Sequence, residues 1–447
     1  MLDTEPATTT TTAQLRTWLG ALARIDVDVP EAELVDRLRL LEELKAAAAA
    51  AQARVTTAFV TAHEESQRRA GVRDRDVGKG VAAQVALAKR ESPARAGRYV
   101  GWSRVLTTEL PATFAALAAG RITEWRAQVV ARETLWLSAE QRRQVDGEIA
   151  AHIEGWGDRR VEAEVRRIAY RLDPKGFVER SAGRAKDRTV TVRPAPETMS
   201  YLTGYLPVAQ GVAVYTSLKA TADSLRSQGD ERSRSQIMAD LLVERVTGQQ
   251  SAESPAVEVS VVMTDQALFN TGPGAQEPAH VEGFGPVPAD LARRLVLAAD
   301  AGAEVWLRRF YAHPESGQLA GMDSRRRLFG GALRKLLVVR DQWCRTPWCD
   351  APIRHVDHVR AATDGGETSV ANGQGLCEAC NHAKEAPGWR ARASGGGHAA
   401  RHEVVTSTPT GHLYRSRPPD PPGVRQPLGR KLSRLEAHYL GLVAAAA

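Results

Sequence analysis

All four cysteines of the chain fall between positions 344 and 380, as the pairs Cys344-x4-Cys349 and Cys377-x2-Cys380. Thiolates spaced this closely converge on one ion through a tight turn, and two such pairs complete a tetrahedral shell. Four sulfurs leave no open coordination position, so the ion expected here is a structural Zn2+ and not a catalytic one. Beside the pairs lie His355-Val-Asp357-His358, Asp364-Gly365-Gly366, Asn372 and Cys380-Asn381-His382-Ala-Lys384. Imidazole, carboxylate and amide oxygen are the groups that move protons and bind hard cations.

This order of residues over about 340–390 resembles the HNH endonuclease signature. The resemblance implies a ββα-metal fold: a β-hairpin bearing Asp357 and His358, a loop braced by Asn372, and a helix starting near Cys377. It implies that His358 is the general base toward an attacking water. Asp357 and Asn381 are then the oxygen ligands of one catalytic Mg2+ or Mn2+. Asn372 braces the loop and helps to orient His358. The third position of the signature carries Asn381, with His382 directly after it as the alternative ligand, and His355 is read as a spectator. Products with 5′-phosphate and 3′-hydroxyl ends are expected. Further upstream, Ala-rich helical sequence leads into Arg325-Arg-Arg-Leu-Phe and the first cysteine pair. This resembles an actinobacterial group in which a domain of unknown function 222 precedes the HNH module, a likeness that brings no activity for the front domain.

The elements that must position these residues can be read from periodicity and punctuation. At 447 residues the chain is too long for one core, so at least two domains are expected. Frequent alanine with only 5% aromatic residues favours helices packed through small side chains. Ser92-Pro93, Pro111 with Gly120, and Ser138 with Gln141 mark helix ends between about 30 and 172. Thr189–Arg193 and Val257–Met263 alternate as strands, 207–226 and 230–247 read as helices, 270–289 as a loop, and Pro314–Gly317 as a turn between short strands. The fold class expected is mainly α with a mixed α+β middle region and a small C-terminal ββα-metal zinc module. The expected domains are a flexible 1–29, a mostly helical 30–323, a basic helix plus nuclease module at 324–395, and a partly flexible extension at 396–447 with a short helix near 430–445. Two readings of the basic helix stay open, a contact with the DNA backbone and a solvated arginine face. For Trp343, Trp348 and Trp389, packing is favoured over base stacking.

A formal charge of +7 fits a polyanionic partner but is thinly spread over this length. Leu40–Val60 carries Glu42, Glu43, Lys45 and Arg54, which excludes a membrane span there. The start lacks a signal peptide's basic and apolar regions, so a cytoplasmic protein is expected, and there paired cysteines are metal ligands rather than disulfides. The partner expected is nucleic acid, DNA foremost, with protein partners of the front domain open. Two functions compete: a metal-dependent endonuclease, and a zinc-stabilised nucleic-acid binder whose chemistry has lapsed. The intact Asp357-His358 pair favours the enzyme.

Overall fold

The computed structural model describes residues 10–249, 260–298, 310–312, 319–322, 331–394 and 402–420. The chain forms two compact units, one of residues 1–58 with 101–174 and the other of 59–100 with 175–447. Neither is the contiguous 30–323 block expected: the divisions fall inside the helices Glu31–Arg69 and Pro93–Glu109 and at the first residue of the helix Pro174–Arg184.

The first unit is helical. α1 (Thr12–Leu22) opens on a Thr11–Gln14 capping box and buries nothing, so part of the segment expected to be flexible is a helix. α2 (Glu31–Arg69) is followed by α3 (Val81–Lys89), which belongs wholly to the second unit, and by α4 (Pro93–Glu109); α2 and α4 are each divided between the units. Pro111 then starts α5 (Pro111–Ala118), Thr123 caps α6 (Glu124–Thr134), and the expected Ser138–Gln141 box caps α7 (Ala139–Ile149). α8 (Asp158–Leu172) completes the bundle. Leu106, Leu117, Val130, Val145, Ile149 and Val161 are fully buried and make its core. Asp146, 1% exposed, holds the start of α5: one oxygen accepts from the Ala112 amide at 2.6 Å, the other from the Thr113 amide and hydroxyl at 3.0 and 2.6 Å. A buried carboxylate is tolerated because the orphan donors of a helix start satisfy it.

The second unit continues through α9 (Pro174–Arg184), the antiparallel pair β1 (Thr189–Pro194) and β2 (Ser200–Tyr205), α10 (Val208–Ser227) and α11 (Arg234–Thr247). Of the glycine-rich stretch 270–289 expected to be a loop, 270–278 carries no helix or strand, whereas 279–287 forms a hairpin. β3 (Val261–Val262), β4 (Ala279–Val281) and β5 (Gly285–Val287) make a three-stranded sheet beside α12 (Asp265–Phe269) and α13 (Ala289–Ala298). Gly283 and Gly285, both at positive φ, make the β4–β5 turn that other residues resist. The short strands anticipated around Pro314 are β6 (Phe310–Ala312) and β7 (Leu319–Met322); the turn itself lies outside the described residues. So do residues 257–259 of the strand expected at 257–263, whose remainder holds β3, together with Arg325–Leu328 and the helix expected at 430–445.

α14 (Ala332–Asp341) leads into the cysteine module. There β8 (His355–His358) pairs antiparallel with β9 (Gly373–Leu376), and α15 (Glu378–Lys384) follows. β10 (Arg390–Ser394), β11 (Glu403–Ser407) and β12 (Leu413–Ser416) then form a sheet, so the boundary expected at 395/396 falls between two paired strands.

Candidate active site and cysteine cluster

The module is built on a buried ion network that local sequence does not display. Asp341, the last residue of α14, is 0% exposed and Arg340 and Arg345 are 4%. Its Oδ1 accepts from Arg340 Nε at 2.7 Å and Arg345 Nη1 at 3.0 Å, and its Oδ2 from Arg340 Nη2 at 3.0 Å and the Gly375 amide at 2.7 Å. Two guanidinium charges against one carboxylate leave an excess that backbone oxygens take up. Arg340 reaches Val370 O and Gly373 O at 2.7 and 2.8 Å, and Arg345 reaches Ser416 O at 2.7 Å. Burial pushes the Asp341 carboxyl up, and the two arginines with the Gly375 amide more than reverse this. Arg340 is therefore neither a DNA-facing nor a solvated residue; it fastens α14 to β9. Leu336 and Leu337 fill the space beneath.

The four cysteines are buried, and their sulfurs lie within 4.8 Å of one another. Cys349 Sγ stands 3.6 Å from Cys377 Sγ and 3.7 Å from Cys380 Sγ. A tetrahedron of 2.3 Å metal–sulfur bonds has edges of roughly 3.8 Å, so the spacing fits one enclosed ion. Contact among the thiols pushes Cys344 and Cys377 down and Cys349 and Cys380 up. All four become thiolates together only with a cation in their midst. Cys377 also caps α15, its sulfur accepting from the Cys380 amide.

The cluster fixes the start of α15, and α15 carries Lys384 to the hairpin. Lys384 Nζ lies 2.5 Å from Asp357 Oδ2 and 2.8 Å from the His358 carbonyl. Asp357 Oδ1 accepts from the His358 amide at 2.7 Å and is 3.6 Å from His358 Nδ1. Partial burial raises the Asp357 carboxyl, but Lys384 and the His358 amide bring it below its ordinary value. The second ring nitrogen, Nε2, is 2.9 Å from Thr368 Oγ1. Asn381 stands one turn before Lys384, and its Oδ1 is buried with no hydrogen-bond partner among the described residues. His382 is exposed and lies about 200° around α15 from Lys384, so the helix carries it away from Asp357. His355 is likewise exposed.

Asn372 ties down the loop between the strands. Its Oδ1 accepts from the Arg360 amide at 2.9 Å, and its Nδ2 donates to Arg360 O and Glu367 O at 3.0 and 2.8 Å. Gly366 lies so close beneath that a Cβ would strike the Arg360 carbonyl and approach Asn372 Nδ2 to 2.8 Å.

The profile described as Domain of unknown function (DUF222) matches residues 38–341, about two thirds of the chain, and that of HNH endonuclease matches 344–386. The chain belongs to the DUF222 family. Its C-terminal match gives this DUF222 protein a nuclease-type domain. No curated protein and no solved structure matches it. Among the described residues of this DUF222 protein, no helix is long and apolar enough to cross a membrane. Asp341 closes the first match while its partners Arg345 and Gly375 belong to the second, so the network spans the boundary between the two profiles.

Sequence reasoning named Lys384 within the motif without giving it a partner, and it missed Asp341, Arg345 and His402 altogether. No short-range signal marks those three: apart from the adjacent Arg340 beside Asp341, their side-chain partners lie from 4 to 71 positions away.

Proposed function

We propose that the protein is a metal-dependent endonuclease that hydrolyses phosphodiester bonds in nucleic acid, with DNA as its first substrate. The observation that carries this reading is the meeting of Asp357 and His358 with Lys384 of α15, on a helix whose Asn381 oxygen is buried and lacks a donor among the described residues. A buried carbonyl oxygen without a proton donor is costly, and a hard cation is the partner that removes the cost. Asp357 and Asn381 are the residues that would hold Mg2+ or Mn2+; when bound, such an ion offsets negative charge on the reacting phosphate. The four cysteines would hold a Zn2+ whose work is structural.

The chain's own groups divide the remaining tasks. Asp357 faces His358 Nδ1 and favours the tautomer with its proton there. That leaves Nε2 to take a proton from water, and the Thr368 hydroxyl occupies the place from which it is taken. Asn372 and Gly366 keep the loop closed against the hairpin, which holds the imidazole at the strand end. Lys384 is the observation on the side of a non-catalytic binder, because it neutralises Asp357 where a cation would compete.

Plasmid nicking with Mg2+ or Mn2+ separates the two readings. Loss of the base should cost His358→Ala roughly a hundredfold or more in rate, with zinc content and melting temperature unchanged. Undiminished nicking by the variant removes His358 from the chemistry, and a wild-type protein that binds DNA but never cuts it leaves only the binder.

A further inference from the structure

The three tryptophans around the cysteine pairs meet different fates. Trp389 turns its Nε1 inward, against the position where Gly80 would carry a Cβ. It is a packing residue. Trp343 and Trp348 keep 37% and 42% of their surface exposed. Trp348 also sits at φ 59°, a region that a bulky L-residue enters at a cost of about 1–2 kcal/mol. The knuckle turn needs that backbone shape but not an indole, since Gly or Asn would adopt it more readily. A side chain that strains the backbone and stays half in solvent calls for an explanation at the surface.

Both tryptophans border an open groove of about 250 Å³ beside β12. Across it stand Arg415 and Arg417, with 67% and 61% of their side chains exposed. Each gives one nitrogen to Glu403 at 2.7 Å. Two cations thus share one carboxylate, and a unit of positive charge is left over. Asp350 at the rim limits that excess, which suits one phosphate better than a run of them. The Arg90 guanidinium stands 5.8 Å from the Trp348 ring centroid, at the outer limit of a cation–π contact.

We propose that this groove binds one unpaired nucleotide of a single strand, its base against Trp348 and its phosphate on Arg415 and Arg417. Stacking needs a free base face, which a duplex hides, so the groove selects single strands or frayed ends. The inference rests on the nucleic-acid part of the proposed function and not on hydrolysis.

The test is fluorescence anisotropy with the full chain, without Mg2+ or Mn2+, on labelled single-stranded DNA, single-stranded RNA and duplex DNA. Trp348→Asn, which suits the backbone, should weaken single-strand binding of either kind about tenfold or more while sparing duplex binding. Arg417→Gln should lower the salt dependence by about 0.7 in the logarithmic slope. Zinc content and melting temperature check the fold, and quenching of wild-type tryptophan emission by an unlabelled strand provides a readout that needs no variant. Equal single-strand affinity in wild type and Trp348→Asn, with no quenching, overturns the groove. Absent cleavage with this binding intact sinks the nuclease reading alone, and normal cleavage with unaltered Trp348→Asn binding sinks the groove alone.

Discussion

Acid should loosen the C-terminal module through one imidazole. His402, 5% exposed, pairs its Nε2 with the Ala371 carbonyl at 2.9 Å, so that nitrogen carries the proton and donates. Its Nδ1 is then an acceptor and faces Arg345 Nη1 at 3.3 Å. A second proton would set N–H against N–H beside two guanidinium groups. Burial first, then Arg340 and Arg345, push the imidazole down to about 4. Above pH 6.5 the folded and unfolded rings are both neutral and nothing is lost. Below that the unfolded chain binds a proton that the folded protein refuses, so stability falls until pH passes the folded value. With an ordinary value of 6.5, the loss is about 2 kcal/mol at pH 5 and about 3 kcal/mol at pH 4. Urea unfolding at pH 7, 6 and 5, with zinc supplied, measures it in wild type and in His402→Gln. The amide of the variant can meet the same carbonyl and guanidinium but cannot titrate. Carboxylates and thiolates titrate in both proteins, so the difference is the readout: the stability gap should shift by about 2 kcal/mol in favour of the variant between pH 7 and pH 5. Parallel pH profiles for the two proteins would refute the argument.

Cys377→Ser should lose the bound zinc and the cooperative unfolding of the module, because metal binding supplies folding free energy there; metal analysis and calorimetry check this, and a zinc-free variant with wild-type melting would contradict it. Gly366→Ala forces a Cβ into the Arg360 carbonyl that Asn372 holds, and should cost about 2–3 kcal/mol in denaturant unfolding. Lys384→Met removes the charge that competes for Asp357, and Mn2+ binding followed by electron paramagnetic resonance should tighten about tenfold. Weaker Mn2+ binding would mean that Lys384 positions the carboxylate instead of competing for it.

What could be read in advance was what local spacing encodes. The Ser138–Gln141 box, Pro111 at a helix start and the paired cysteines each act within a few residues, and each stands where expected. The Asp357–His358 strand and the helix after Cys377 were legible for the same reason. Long-range pairing was not. Arg345 meets Ser416 across 71 positions and His402 across 57, and neither partner has a periodic signature. Glycines at 283 and 285 read as loop residues, yet they make the tight turn between two three-residue strands. Arg340 looked like surface charge because composition cannot distinguish a solvated arginine from one spent on carbonyl oxygens.

The contact of Asp341 with Gly375 bears on how this nuclease region can be handled as a separable part. The 43 residues from 344 to 386 lack the carboxylate that anchors Arg345, and they also lack the Ser416 and His402 that surround it. A fragment trimmed to that span would carry a buried guanidinium with no counter-charge. The smallest portable piece therefore begins at the helix before the first cysteine and runs through the last strand of the closing sheet.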